Sequence, residues 1–153
     1  MNIKVESHVD DVLDELKKRI DKALTLCGES AEGYAKLNLT DKDAVVTGLL
    51  RNSITYELSG RATHISSYKA DKGSKTGKYS GALGDKDDDA VYIGTNVEYA
   101  PYIEFGTGRN AAPGVGGQQT FEGIKPMPYL KPALADHKEE YARIIKDVLE
   151  GKL

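Results

Sequence analysis

The sequence predicts a single α+β domain over residues 1–153, with a small antiparallel sheet, a long N-terminal helix, a C-terminal helix and two long flexible loops. Three observations predict this class. Apolar residues recur every three or four positions near the N-terminus, they alternate with polar residues over Ser53–Ser59, and helical spacing returns after Pro132. The chain length suits one domain with one core.

The composition excludes several function classes. The net charge of −3 argues against broad DNA binding, because neutralising phosphates requires a basic surface. No apolar run reaches the roughly 18 residues that a membrane span needs, and the first residues lack the apolar core of a signal peptide. A single cysteine, Cys27, excludes an internal disulfide and a cysteine-based zinc site, and we expect it to be a small buried residue.

The first predicted element is a long helix over residues 6–38. Acidic residues dominate its first turns and basic residues follow, an order that suits the helix dipole. Gly28 and Gly33 each cost about 1 kcal/mol relative to alanine, so these are the positions where the helix could bend or break. A helix of this length either lies across a sheet or projects and packs on a neighbouring subunit. Its apolar positions are Val9, Val12, Leu13, Leu16, Ile20, Ala23, Leu24, Cys27, Ala31 and Tyr34.

Short strands are predicted in the middle of the chain. The first places Ile54, Tyr56 and Leu58 on one face, which is typical of a half-buried strand. Gly60 offers a turn into the second strand, and so short a connection favours antiparallel pairing. The predicted strands are Ser53–Ser59, Ala62–Tyr68 and Val91–Gly94.

Two segments rich in glycine, residues 69–89 and 106–123, are predicted to be flexible loops. Loops of this kind commonly become ordered against a partner. After the second loop, Pro126 and Pro128 hold the chain extended. Pro132 is predicted to open the last helix, residues 132–150, which Gly151 would end.

Between the third strand and the second loop lies an aromatic segment, Tyr99–Phe105, which we predict to be central to the fold. Pro101 suits the first turn of a helix because it has no N–H to leave unsatisfied. On that helix Tyr102 and Phe105 share a face. Gly106 then permits backbone angles that other residues resist.

Few residues suggest chemistry. Gly73–Tyr79 faintly resembles a phosphate-binding loop, but it has three residues between its glycines instead of four, and a tyrosine follows Lys78. Asp85–Asp89 offers oxygen ligands for a cation, yet it lacks the glycine and distal glutamate of a calcium loop. The glycines of 106–123 would suit an anion cradle, although a linker is the commoner reading. We therefore predict no cofactor and no metal.

Glu104 is the one candidate for catalysis. It lies between Ile103 and Phe105, so partial burial would raise its pKa and suit a general acid or base. No histidine, cysteine or second carboxylate lies at a spacing that identifies a catalytic partner. We expect Glu104 instead to accept hydrogen bonds from backbone N–H groups or to pair with an arginine such as Arg51.

Two motifs in order carry a family resemblance: Tyr99–Thr107, and Pro126–Leu134 some twenty residues later. With the upstream segment Thr47–Ile54, which follows the pattern Thr-Gly-x-Leu-Arg-x-Ser-Ile, they resemble the tail-completion or head–tail joining proteins of long-tailed phages, typified by the gene-ten product of phage Hong Kong 97. The resemblance spans roughly residues 47–149, so only periodicity supports the first helix.

The resemblance implies a non-enzymatic virion component of a phage or prophage, assembled in the host cytoplasm as a ring, sixfold in this family. Its partners would be other copies of itself and the head connector and tail proteins, with no specific nucleic acid and no membrane. Tyr99, Tyr102 and Phe105 would pack the short helix on the sheet. The motif residues, expected to be structural, are Thr47, Gly48, Leu50, Arg51, Ser53, Tyr99, Ala100, Tyr102, Glu104, Phe105, Gly106, Thr107, Pro128, Leu130, Pro132 and Ala133.

Two alternatives remain open from the sequence. Within phage assembly, a tail terminator or a head-closure subunit would share a small α+β scaffold and ring symmetry, and fold alone does not separate these roles. From another class, the chain would be a small enzyme that uses Glu104 with a partner unseen in the sequence.

Overall fold

The computed structural model of the chain describes residues 8–41, 48–59, 67–79, 89–114 and 120–153. Its order of helices and strands confirms the α+β class. The elements are α1 (Val9–Asp41), α2 (Leu49–Ser53), β1 (Thr55–Leu58), β2 (Ser67–Lys69), β3 (Thr76–Lys78), β4 (Val91–Gly94), α3 (Ala100–Phe105), a 3-10 turn (Gly108–Asn110), α4 (Leu130–Ala135) and α5 (Lys138–Leu149).

Helix α1 runs without interruption for 33 residues, about 50 Å, and ends three residues later than predicted. Predicted residues 6 and 7 lie outside the described part of the chain. Neither internal glycine breaks the helix. A Cβ atom at Gly28 would lie 2.6 Å from the Tyr56 ring of β1, so this glycine lets the strand approach α1 closely. A Cβ atom at Gly33 would meet nothing within 4 Å.

The two glycines of α1 therefore predict opposite responses to alanine. Gly33→Ala is expected to raise the free energy of unfolding by up to about 1 kcal/mol, because alanine favours the helix and has space there. Gly28→Ala is expected to lower it by about 1–3 kcal/mol, because the new methyl group overlaps Tyr56. Urea unfolding of both variants measures the contrast, and equal shifts of one sign would contradict it.

The strands form two antiparallel pairs within the described residues. Strand β1 pairs with β4, with Thr55 opposite Gly94 and Leu58 opposite Val91, and β2 pairs with β3. The sequence predicted that β1 pairs with the strand after Gly60. Residues 60–66 lie outside the described part of the chain, and the described end of that predicted strand, Ser67–Tyr68, belongs to β2 and pairs with β3, whereas β1 pairs with β4. The reason lies in the side chains: β4 offers Val91 and Ile93 beside α1, whereas the ends of β2 are exposed and polar.

The predicted half-buried strand is covered on both faces. Thr55 and Glu57, predicted to face solvent, are 0% and 4% exposed, whereas Tyr56 and Leu58 are only half-buried. Tyr56 packs toward α1, and on the opposite face the Tyr79 hydroxyl donates to Glu57 Oε2 at 3.4 Å. Burial and the Glu57 charge raise the pKa of Tyr79 to about 12. A residue from a distant segment thus contacts the polar face at Glu57.

The first predicted loop is partly regular. Residues 67–78 form the β2–β3 hairpin, and the Ala70 N–H donates to the Lys75 carbonyl at 2.9 Å. Ala70 is 1% exposed and Asp71 receives the side chains of Arg51 and Asn52. The burial of Ala70 and the contacts of Asp71 hold this segment in a regular hairpin, although its polar composition predicted a loop throughout. Residues 80–88 of the predicted loop lie outside the described residues.

The C-terminal helix, predicted as one element over 132–150, is two. Helix α4 begins at Leu130, two residues before Pro132, and α5 begins at Lys138. At the break the His137 ring stacks on Tyr34 of α1, with ring centroids 3.4 Å apart. The Tyr141 hydroxyl donates across the break to the Ala133 carbonyl at 2.6 Å. Gly151, with φ +73°, follows the end of α5 as predicted.

Helix α5 lies antiparallel along α1. Arg19 donates to the Leu149 carbonyl at 3.1 Å, and at the other end the Tyr34 hydroxyl donates to Glu140 at 2.6 Å. Cys27 lies between these points and is buried, as predicted, with its thiol 3.8 Å from the Tyr141 carbonyl. Burial raises the pKa of this thiol.

Ionisation of Tyr141 is expected to weaken the contact between α4 and α5 at high pH, because its hydroxyl donates to the Ala133 carbonyl. Burial and the charge of Glu140 raise the pKa of Tyr141 to about 12 from the ordinary value of 10.0. The neutral phenol therefore stabilises the fold fully below pH 10, and this contribution is lost as the pH rises from 10 to 12. The urea midpoint should fall across that interval, less steeply in Tyr141→Phe than in the exposed-site control Tyr102→Phe. Equal slopes would contradict the assignment.

The core forms where the last turns of α1 meet α2, α3 and α4. Its largest fully buried side chain is Tyr129, 1% exposed, and the same cluster contains Leu39, Ile54 and Val97. The predicted central position of the aromatic segment thus holds for Ala100, which belongs to this cluster. Among the helices that the structure describes, none has the length and apolar character needed to cross a bilayer.

Candidate functional site

Glu104 joins α3 to the beginning of α4. Its Oε2 atom accepts hydrogen bonds from the N–H groups of Tyr129 at 2.7 Å and Leu130 at 3.0 Å, and Oε1 accepts from Lys131 at 3.0 Å. The carboxylate is 7% exposed and takes up the first N–H groups of α4, which have no partner within their own helix. The predicted bonding to backbone N–H groups is confirmed, whereas Arg51 binds Asp71.

Neighbouring residues stabilise the connection that Glu104 makes between α3 and α4. Tyr129 is buried, and burial together with the Glu104 charge raises the pKa of its phenol. The Tyr129 carbonyl accepts from the Asn38 side chain at 3.0 Å, which ties this connection to α1. Both carboxylate oxygens of Glu104 thus accept hydrogen bonds from backbone N–H groups. Among the described residues, no group of three or more histidine, cysteine or acidic residues could hold a metal ion.

The aromatic residues of α3 face outward. Tyr102 and Phe105 of α3 are 57% and 42% exposed, and Tyr99, which precedes the helix, is 38% exposed, so the prediction that all three pack α3 on the sheet is wrong. Because α3 begins at Ala100, the positions that share its inner face are Ala100, Ile103 and Glu104. Ala100 and the carboxylate of Glu104 therefore attach α3 to the rest of the domain, and the aromatic rings remain in contact with solvent.

Backbone hydrogen bonds join the two ends of the second predicted loop, residues 106–123. The Thr107 N–H donates to the Ile124 carbonyl at 2.9 Å, the Ile124 N–H returns to Thr107 Oγ1 at 3.0 Å, and the Arg109 N–H donates to the Phe121 carbonyl at 3.1 Å. The amides of Thr107, Arg109 and Ile124 are therefore engaged within the chain. The bound segment adds two exposed apolar residues, Phe121 and Ile124, beside α3. Residues 115–119 lie outside the described part.

The upstream motif connects the two strand pairs. Arg51 forms an ion pair with Asp71 of the β2–β3 hairpin, and Ser53 bonds to Thr95 just after β4. Leu50 is buried in the core, and the Gly48 carbonyl accepts from the Asn52 N–H at 2.9 Å. Thr47 lies outside the described residues.

Asp71 is a residue that sequence reasoning missed. It receives Arg51, and its Oδ1 accepts from the Asn52 side chain at 2.8 Å. Nothing in the local sequence identifies it, because its partners lie about twenty positions earlier and meet it only when the hairpin folds back.

An apolar groove of about 530 Å³ opens between the end of β4, α3 and the beginning of α4. Val97, Ala100, Pro101, Phe105 and Leu130 supply apolar wall, and Glu98 and Lys131 supply charge. The groove therefore brings together both motifs, Tyr99–Thr107 and Pro126–Leu134. Two motif prolines act outside it: Pro128 is half-buried, and the Pro132 carbonyl accepts from the Asp136 N–H inside α4.

The family comparison covers most of these elements. A family model described as "Bacteriophage HK97-gp10, putative tail-component" matches residues 3–106. The match contains α1, which the resemblance of the motifs did not reach, and stops before the second motif. No curated protein and no solved structure matches the chain. Because the match covers more than half of the sequence, the chain belongs to the HK97-gp10-like family of bacteriophage proteins.

Proposed function

We propose that this protein is a non-enzymatic structural component of a phage or prophage particle, that it joins the head connector to the tail, and that it acts as a ring. The observation that carries the proposal is the family match, whose description as a tail component supports a structural role in the virion. The chain would assemble in the host cytoplasm and remain in the finished particle, with other copies of itself and connector and tail proteins as partners.

The geometry supports assembly more than catalysis. The only predicted acid–base candidate, Glu104, uses both oxygens to hold three backbone N–H groups. In contrast, large apolar side chains are exposed on α3, on the segment tied to it and on the first turns of α1. Exposed apolar patches of this kind commonly mark protein interfaces.

Removal of the gene from the phage or prophage tests the proposal. We expect DNA-filled heads and tails of normal length that remain separate in electron micrographs, and restoration of joined particles when the chain is supplied from a plasmid. Purified wild-type particles should contain the chain on an immunoblot. Particles that assemble normally without it, or that lack it, would contradict the proposal.

The same experiment separates the two related roles. A tail terminator would leave tails of abnormal length when absent, and a head-closure subunit would leave heads that lose their DNA. Separate but otherwise normal heads and tails fit the joining role alone.

A further inference from the structure

The first turns of α1 carry an apolar stripe, defined here as Val9, Val12, Leu13 and Leu16. These side chains are 60%, 65%, 56% and 45% exposed. Their steps of three, one and three residues place them on one face of the helix, over a length of about 10 Å. Four large apolar residues in one exposed row are suited to contact with another protein surface.

The stripe continues a face that is buried farther along the same helix. Beyond Arg19, which contacts the end of α5, the buried residues of α1 include Ala23, Cys27, Ala31 and Ala35. The apolar face of α1 is thus continuous along the helix. In the first turns this face is exposed because no other described segment covers it. The stripe projects from the domain as an extension of its packed face.

The groove lies at the opposite end of α1. Asn38, near the end of this helix, bonds to Tyr129, and Tyr129 lines the groove. From Leu16 to Asn38 is about 33 Å along the helix axis. One copy therefore presents two unlike apolar surfaces, one projecting and one concave, about a helix length apart.

We propose that the apolar stripe of one copy docks in the groove of the next copy. Two different surfaces that bind each other form a head-to-tail interface, which closes into a ring when the rotation between copies permits. This inference rests on the proposed function, because it supplies the contact that builds the proposed ring. Pairing of one stripe with another would give a two-fold dimer and leave the groove empty.

Charge on the two surfaces agrees with this partner. Asp10, Asp14 and Lys17 lie on one flank of the stripe, so this flank is acidic toward the start of α1 and basic at Lys17. The groove carries Lys131 and Glu98, which offer the opposite signs. The third charged residue of the groove, Glu104, is already bonded to three N–H groups and needs no further partner. Docking therefore pairs Asp10 with Lys131 and Lys17 with Glu98.

The test uses two full-length variants, each with one surface removed. The stripe variant carries Val12→Asp and Leu16→Asp, and the groove variant carries Pro101→Glu and Phe105→Glu, all at exposed positions. Light scattering on a sizing column should show rings for the wild-type chain at high concentration and a monomer for each variant alone. An equimolar mixture of the variants should double the mass to a dimer and go no further, because only one intact stripe and one intact groove can meet.

Other results would overturn the contact. A groove variant that still self-associates would indicate stripe-to-stripe pairing, and a mixture that stays monomeric, or a wild-type chain that is monomeric at every concentration, would exclude docking. Leu134→Glu, an equivalent change at a 49% exposed site on α4, is the control that should keep the ring. Circular dichroism checks that each variant is folded.

Disulfide trapping provides a second readout that does not depend on removing a surface. In a Cys27→Ala background, Leu13→Cys on one chain and Phe105→Cys on another should cross-link as a mixture, with each alone giving less than a tenth of the product. Failure of the contact and failure of the proposed function are distinguishable. A stripe variant that still joins heads to tails would refute the contact only, whereas a chain absent from particles would refute the function even if rings form in solution.

Discussion

Glu104→Ala is expected to lower the free energy of unfolding by about 3 kcal/mol or more. The carboxylate accepts three backbone N–H groups of the first turn of α4, at 2.7–3.0 Å, and is 7% exposed. Each buried N–H group left without an acceptor costs about 1–3 kcal/mol, and bonds to a charged acceptor are among the stronger ones. Urea unfolding followed by circular dichroism measures the loss.

Glu104→Gln refines this prediction. Glutamine retains one acceptor oxygen but turns an NH2 group toward one of the three donors, so a smaller loss of about 1–3 kcal/mol is expected. Glu98→Gln, an exposed glutamate on the groove, is the matched control and should change stability little. If Glu104→Gln left a fully stable protein that lost a catalytic turnover, the enzyme alternative would replace the structural role.

Gly106→Ala is expected to destabilise the protein by about 3 kcal/mol. Gly106 ends α3 with φ +73° and ψ −177°, a combination that is essentially restricted to glycine. A Cβ atom there would also lie 2.7 Å from the Ile124 carbonyl oxygen, in the segment that is bonded to Thr107. The strained φ and ψ angles and the overlap with the Ile124 carbonyl both involve backbone atoms, so small movements of side chains do not relieve them. Thermal and urea unfolding should both show the loss.

A second glycine separates the two causes. Gly73 also has a positive φ, +88°, but a Cβ atom there would meet nothing within 4 Å. Gly73→Ala should therefore cost only the backbone strain, about 1–2 kcal/mol. Equal losses at Gly73 and Gly106 would mean that the contact with Ile124 contributes nothing.

Part of the fold was predictable because it depends on neighbours in the sequence. The period of three and four residues predicted α1, and a strand at Val91–Gly94 matches β4. Gly151 ends α5 as expected, since a C-terminal glycine acts within its own helix. Glu104 is an intermediate case. Its apolar neighbours predicted a carboxylate bonded to backbone donors, but those donors lie 25–27 positions away and the sequence did not identify them.

Other predictions failed where a distant segment decides the outcome. Within the described residues the partner of β1 is β4, which lies far along the chain. Glu57 is buried and receives the hydroxyl of Tyr79, a residue of the β2–β3 segment, and the break before α5 lies where His137 stacks on Tyr34. Periodicity contains no information about such partners, since it records only which side of an element is apolar.

The sequence by itself determined the α+β class, the long first helix and the membership of the family whose model matches residues 3–106. Only the tertiary structure decided which apolar residues are buried. Tyr102 and Phe105 face solvent because α3 is held by Ala100 and Glu104, and Leu13 and Leu16 are exposed because α5 ends near Arg19. The spacing of apolar residues identifies the apolar face of a helix. Whether that face is buried depends on how the other helices and strands of the same chain are arranged.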